Sequence, residues 1–88
     1  MTEKIGIVRV TPALATEWLE GNVALNRRLI PNLVTFYAAE MRAGKWRVNG
    51  ESIKFSKSGA LMDGQHRLHA IIKVNQSIPM VVVRELDQ

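Results

Sequence analysis

The chain has 88 residues, the size of one small domain, and we expect residues 1–88 to fold as a single unit. Hydrophobic residues make up 47% of the sequence and charged residues 23%, which excludes a disordered or collagen-like chain. There is no cysteine, so disulfides, thiolate zinc sites and a cysteine nucleophile are excluded. No apolar run approaches the ~20 residues that span a bilayer. No signal-peptide pattern follows the N-terminus, and we expect a cytoplasmic protein with no membrane partner.

The positive charge is concentrated in the middle of the sequence. The formal net charge is +4, but residues 26–73 hold nine basic and three acidic residues, whereas the two ends together hold three basic and five acidic ones. A basic segment attracts anions, which include nucleic acids, nucleotides and acidic protein surfaces. The alternative is an ordinary solvated surface that binds none of them.

The N-terminal part predicts a strand followed by a helix. Residues 5–10 are short and rich in β-branched side chains, which is typical of a strand. Thr11 is the expected N-cap of the next helix and Pro12 its first residue. Gly21 is expected to end that helix.

A second helix is predicted to begin at Pro31 and to end at Gly44. Its apolar residues recur at helical spacing: Val34, Tyr37, Ala38 and Met41. We expect Tyr37 and Met41 to lie in the core. The polar connector before Pro31 contains Asn26, Arg27 and Arg28.

The C-terminal half predicts short strands, one helix and a final strand. Residues 45–48 and 52–55 flank the pair Asn49-Gly50, a strong β-hairpin signal, and 52–55 alternates as a half-buried strand does. A short strand at 60–62 precedes the third helix, and residues 79–84 are apolar enough for a central strand. The predicted fold is α+β, a small mixed β-sheet with three helices in the order β-α-α-β-β-(β)-α-β.

The strand-to-helix turn at Asp63-Gly64 carries the most unusual chemistry. Glycine lets a ligand approach the backbone N–H groups at a helix N-terminus, and Arg67 can add bidentate contacts to a phosphate. Asp63 is expected to be the helix N-cap, with a metal ligand or a base as alternatives. Two histidines, His66 and His69, share a helix face with Lys73, opposite an apolar face that consists of Leu68, Ile71 and Ile72. A histidine pair without a third ligand does not predict a metal site.

Residues 63–70, Asp-Gly-Gln-His-Arg-Leu-His-Ala, resemble the signature of small ParB-like or "DGQHR" domains, which are common in phages and mobile elements. The likeness extends over nearly the whole chain, from Ile5 to Leu86. It implies the fold of the superfamily that joins the N-terminal domain of ParB partition proteins with sulfiredoxin. Members of that superfamily use a glycine-containing strand-to-helix turn to hold nucleotide phosphates.

The resemblance also implies roles for single residues. Gly64 and Arg67 match the family's glycine and final arginine, His66 matches the sulfiredoxin histidine, and Gln65 replaces a glutamate or cysteine. Without that cysteine, sulfiredoxin chemistry is excluded. The DNA-binding and dimerisation domains of ParB partition proteins do not fit in 88 residues. CTP or another nucleotide with Mg²⁺ is the cofactor that the resemblance implies.

Three functions are compatible with these observations. The first is a binding module for a nucleotide or nucleic acid, and the second is a small phage-type interaction protein that inhibits a host or defence protein without catalysis. The third is a metal-dependent nuclease or nucleoside triphosphatase with Asp63 and His66 as metal ligand or general base, which needs a second acid from Glu40 or Glu51. The residues expected to bind phosphate or nucleic acid are Gly64, Gln65, His66, Arg67, Asn26, Arg27, Arg28 and Lys54.

Overall fold

A computed structural model of the protein describes residues 4–21, 29–46 and 52–86. These residues form three helices and a four-stranded mixed sheet, which confirms the predicted α+β class. The elements in chain order are β1 (Lys4–Val10), α1 (Pro12–Glu20), α2 (Pro31–Arg42), β2 (Ser52–Ser56), β3 (Leu61–Asp63), α3 (Gln65–Val74) and β4 (Ile78–Leu86).

Both predicted boundaries of α1 and the predicted start of α2 are confirmed, whereas α2 ends at Arg42 with Ala43 as its C-cap, just before the predicted Gly44. Thr11 is the N-cap of α1, and its hydroxyl oxygen accepts a hydrogen bond of 3.0 Å from the Leu14 N–H. Gly21 is the C-cap of α1. Pro31 is the first residue of α2, and Asn75, the C-cap of α3, adopts a left-handed conformation with φ of 56°.

The sheet has the strand order β1-β4-β2-β3. The β4 strand pairs with β1 in antiparallel and with β2 in parallel orientation, and β3 pairs with β2 in antiparallel orientation. The prediction of a central C-terminal strand is therefore confirmed. Met80 and Val82 of β4 are buried, and α3 contacts both α1 and α2.

The β2 strand is more deeply buried than its alternating sequence predicts. Ser52 is only 4% exposed, although the alternation over 52–55 predicts that this polar position faces solvent, and Ser56, the last residue of β2, is 2% exposed. The reason is that β2 lies inside the sheet, between β4 and β3. The Ser56 hydroxyl is satisfied there, because it hydrogen-bonds the Ser58 hydroxyl at 2.9 Å and accepts from the Ala60 N–H at 3.2 Å.

The α2 helix buries most of its predicted apolar stripe. Val34, Ala38 and Met41 are buried, whereas Tyr37 is only half-buried. Tyr37 packs against the core, so the expectation of a core tyrosine is confirmed in part, but its side chain also lines a surface cleft beside α3.

The predicted hairpin around Asn49-Gly50 lies outside the described residues. Of the strand predicted at 45–48, Lys45 and Trp46 are described, and neither is in a strand. Trp46 is half-buried, and its ring packs edge-on against Tyr37 with centroids 5.5 Å apart.

The apolar face of α3 completes the core. Leu68, Ala70, Ile71 and Val74 are buried, and Ile72 is half-buried. This agrees with the predicted inward face, although Ile72 lies at its edge. Among the helices that the structure describes, none has the length and hydropathy needed to cross a membrane.

Candidate functional site

The turn between β3 and α3 is built around Gly64. Its φ of 112° lies in a region that residues with a side chain rarely adopt. A Cβ atom at this position would lie 2.5 Å from Ile53 Cδ1 and 3.2 Å from Ile53 Cα. Glycine therefore lets α3 begin directly against β2. Gly64 is also the N-cap and has no side chain to cap the N–H groups of the first helical turn.

Asp63 is not the N-cap of α3, so that prediction is wrong. Because Gly64 occupies the cap position in a left-handed conformation, Asp63 remains in extended backbone as the last residue of β3. Its carboxylate instead faces two cations. The Lys54 Nζ atom lies 3.4 Å from one carboxylate oxygen, and the Arg67 Nη1 atom lies 4.0 Å from the other.

The Arg67 side chain is held in place by contacts with two other elements of the fold, β2 and α2. Its side chain is only 11% exposed. The Nη1 atom donates a hydrogen bond of 3.3 Å to the Ser52 carbonyl oxygen of β2. The guanidinium carbon lies 5.5 Å from the centroid of the Tyr37 ring of α2, within cation–π distance. An arginine stays charged in such a setting, so the turn keeps a fixed positive group.

His66 joins the start of α3 to the start of α2. Its Nε2 atom accepts a hydrogen bond of 2.9 Å from the backbone N–H of Ile30, the N-cap residue of α2. An accepting Nε2 carries no proton, and its lone pair is engaged in this hydrogen bond. The Nε2 atom is therefore not free to bind a metal ion or to act as a base while this bond is made.

His69 and Lys73 lie on the more exposed side of α3, as predicted. His69 is half-buried and Lys73 is exposed. Burial lowers the pKa of His69 below its ordinary value, and the nearby His66 lowers it further. His69 is consequently neutral at neutral pH and adds no positive charge there.

A cleft of about 130 Å³ lies between α2 and the turn. It is lined by Leu33, Tyr37, Asp63, Gly64, His66 and Arg67. The sequence predicts the last four at one site, but it does not predict Leu33 and Tyr37 there. Leu33 and Tyr37 are four residues apart, so the sequence does show that they lie on the same side of the second helix. Helical periodicity alone, however, assigns Tyr37 to the core.

The other predicted site residues are distributed as follows. Gln65 is the half-buried first residue of α3. Lys54 lies on β2 beside Asp63, at the margin of the cleft. The connector residues Asn26, Arg27 and Arg28 lie outside the described residues.

Metal-dependent hydrolysis would need several metal-ligating side chains close together. Within 4–21, 29–46 and 52–86, no group of three or more His, Asp or Glu side chains could hold a metal ion. Asp63 faces two cations and His66 Nε2 is hydrogen-bonded. Of the two acids considered as a second ligand, Glu40 is half-buried on α2, and Glu51 lies outside the described part of the chain.

The cleft combines groups that could bind an anion. A helix N-terminus, the fixed guanidinium of Arg67 and the nearby ammonium group of Lys54 lie beside one carboxylate among the described lining residues, that of Asp63. No protein-family model, no curated protein and no solved structure matches this chain. The chemistry of the cleft is therefore the basis on which a function can be proposed.

Proposed function

We propose that the chain is a ParB-like binding module that holds a phosphate group of a nucleotide or nucleic acid at the turn from Asp63 to Arg67. The observation that carries the proposal is the placement of the Arg67 guanidinium beside the N-terminus of α3 at a glycine turn. A small mixed sheet with three helices is compatible with the ParB/sulfiredoxin-like fold. An origin in a phage or mobile element follows from the same resemblance.

Pre-organisation supports this function. The Arg67 side chain is already ordered by Ser52 and Tyr37, so a ligand does not have to immobilise it. Phosphate binding to backbone N–H groups and to arginine uses charge-assisted hydrogen bonds, which are stronger than neutral ones. Ligand binding should therefore cost little free energy for ordering the Arg67 side chain.

Asp63 opposes an anion but does not cancel the site's charge. Lys54 and Arg67 together outweigh the single carboxylate, which leaves one net positive charge in this group. A phosphate that carries two negative charges competes with Asp63 for both cations. If a nucleotide binds with Mg²⁺, Asp63 is the one acidic side chain among the described lining residues that could contact the ion, so phosphates would supply most of the ligands.

The size of the cleft limits what it encloses. Sites that engulf a drug-sized ligand have volumes of roughly 300–1,000 Å³. The cleft at this turn has about 130 Å³, enough for a phosphate group but not for a whole nucleotide. The nucleoside part of the ligand therefore lies outside it, on the neighbouring surface.

Isothermal titration calorimetry with CTP, ATP and a short DNA oligonucleotide tests the proposal. We expect saturable binding of at least one of them, and Arg67→Lys should weaken it about tenfold because lysine keeps the charge but loses the guanidinium fork. Arg9→Ala, an exposed cation on β1, is the matched control and should bind normally. No heat with any ligand, or equal affinities for wild type and Arg67→Lys, would contradict the proposal.

A second candidate function is that of an interaction protein that blocks a host or defence protein. It is favoured by exposed apolar side chains on the outer face of the sheet, where Ile5 is 67% and Ile7 is 68% exposed. They pair across the strands with Val83 and Val81, so they extend an apolar surface that reaches the sheet edge. This function predicts that Ile5→Ser with Ile7→Ser abolishes capture of a host protein, while Arg67→Lys does not.

A further inference from the structure

Three aromatic side chains lie beside the cleft on the α2 side, and we call them the aromatic ledge: Phe36, Tyr37 and Trp46. The ring centroids of Phe36 and Tyr37 are 6.0 Å apart, and those of Tyr37 and Trp46 are 5.5 Å apart. Tyr37 itself lines the cleft, and its ring packs against the Arg67 guanidinium. The ledge is therefore continuous with the proposed phosphate site.

Phe36 is exposed although it is a large apolar residue. It is 59% exposed, whereas Val34, Ala38 and Met41 of the same helix are buried. Phe36 lies off the buried stripe of α2, so burial in the core does not account for an aromatic side chain at this position. An exposed aromatic ring next to a phosphate-binding arginine offers a flat surface on which a nucleobase can stack.

The part of the sequence that contains the cleft and the ledge has an excess of basic residues, and this favours a polyanion over a protein with a neutral surface. From residue 29 to 46 and from 52 to 74, the described chain contains six basic residues and two acidic ones. Two of the basic residues, Arg42 and Lys45, are exposed and lie in sequence between Tyr37 and Trp46. Glu40, the acid on the same helix, is half-buried.

We propose that the ligand is a single-stranded nucleic acid, an inference that rests on the proposed function. One phosphate binds at the turn formed by Gly64 and Arg67, and an unpaired base stacks on Phe36. In a duplex the faces of the bases are covered by their neighbours, so only an unpaired base can present a face to the ring. The small cleft agrees with this arrangement, because it holds the phosphate and leaves the base outside on the ledge.

Fluorescence anisotropy tests this inference with the intact chain. The probes are a labelled oligothymidylate of about 12 nucleotides, within the usual site size of single-strand binders, and a duplex of the same length. We expect the single strand to bind more tightly than the duplex. Phe36→Ala should weaken single-strand binding roughly tenfold, and Phe36→Trp should retain it, because tryptophan keeps a stacking surface.

Ile7→Ala is the matched control, because Ile7 is also a highly exposed apolar residue but lies on β1. It should bind as wild type does, and circular dichroism should show that all variants are folded. A second control is calorimetric titration of CTP into Phe36→Ala, where we expect most of the phosphate-dependent affinity to remain.

The outcomes separate this inference from the proposed function. If Arg67→Lys weakens oligonucleotide binding but Phe36→Ala does not, the phosphate site stands and the stacking surface is refuted. Tighter binding of the duplex than of the single strand also refutes the inference. If neither substitution changes the affinity for any phosphate ligand, both the inference and the proposed function fail.

Discussion

Gly64 lies so close to Ile53 that a Cβ atom on the glycine would fall 2.5 Å from the isoleucine Cδ1 atom. This contact joins the turn before α3 to β2, and it sets where the N-terminus of α3 lies relative to the sheet. The position and conformation of the turn thus depend on the absence of a side chain.

Gly64→Ala should destabilise the protein strongly. The left-handed backbone and the overpacking against Ile53 together should lower the free energy of unfolding by roughly 2–5 kcal/mol. Gly59→Ala is the matched control: Gly59 also has a positive φ, 89°, but a Cβ atom there would meet no other atom within 4 Å. It should lose only about 1–2 kcal/mol. Urea denaturation measures both, and equal losses would show that the contact with Ile53 is not tight.

Asp63→Asn should strengthen phosphate binding. The carboxylate competes with the ligand for Lys54 and Arg67, and its removal should be worth about 1 kcal/mol, or roughly fivefold in affinity. The cost in stability should be small, about 0–1 kcal/mol, since the ion pair with Lys54 is partly exposed. Calorimetry measures the affinity, with Glu17→Gln on α1 as the control.

The same substitution tests the alternative of an enzyme. If Asp63 were a metal ligand or a general base, Asp63→Asn would abolish turnover of a nucleotide or oligonucleotide rather than tighten binding. A variant with weaker phosphate binding and lost hydrolysis would overturn our interpretation of Asp63.

His69 should make the stability depend on pH on the acid side of neutrality. Its pKa is lowered in the folded state by burial, so the unfolded chain takes up a proton more readily. The free energy of unfolding of the wild type should therefore fall as the pH drops below about 6.5, the ordinary value for histidine. Above that value both states are neutral, and this residue should have no effect.

His69→Gln should remove that part of the pH dependence. Urea denaturation of the wild type and the variant at about pH 8 and about pH 5 isolates the contribution of His69 to the pH dependence. The substitution replaces a side chain that titrates in this pH range with glutamine, which does not titrate. Lys73→Gln, at an exposed position on the same helix, should follow the wild-type pH profile. Identical profiles for wild type and His69→Gln would contradict the expected shift.

The elements of the fold are predictable because their signals are local. Thr11 before Pro12, Pro31 and the glycine after Asp63 each determine the backbone within a few residues. Gly64 and Arg67 are three positions apart, so both lie at the first turn of the third helix. This local part of the candidate site can therefore be predicted from the sequence.

The rest of the site depends on contacts between distant segments. Ile30 and His66 are 36 residues apart, and their hydrogen bond exists only because α2 and α3 pack together. Periodicity assigns Tyr37 to the core because it shows which side of a helix is apolar but not where the core ends. The residue preferences of helix caps favour Asp63, although the left-handed Gly64 takes that position.

The most direct test of a phosphate site at the start of α3 is a titration followed in a ¹H–¹⁵N correlation spectrum. On addition of CTP or oligothymidylate, we predict that the largest saturable shifts occur at the backbone amides of Gln65, His66 and Arg67, and that Arg67→Lys reduces them. Unchanged amides at these three residues with every phosphate ligand, or largest shifts at Ile5 and Ile7 on β1, would contradict it.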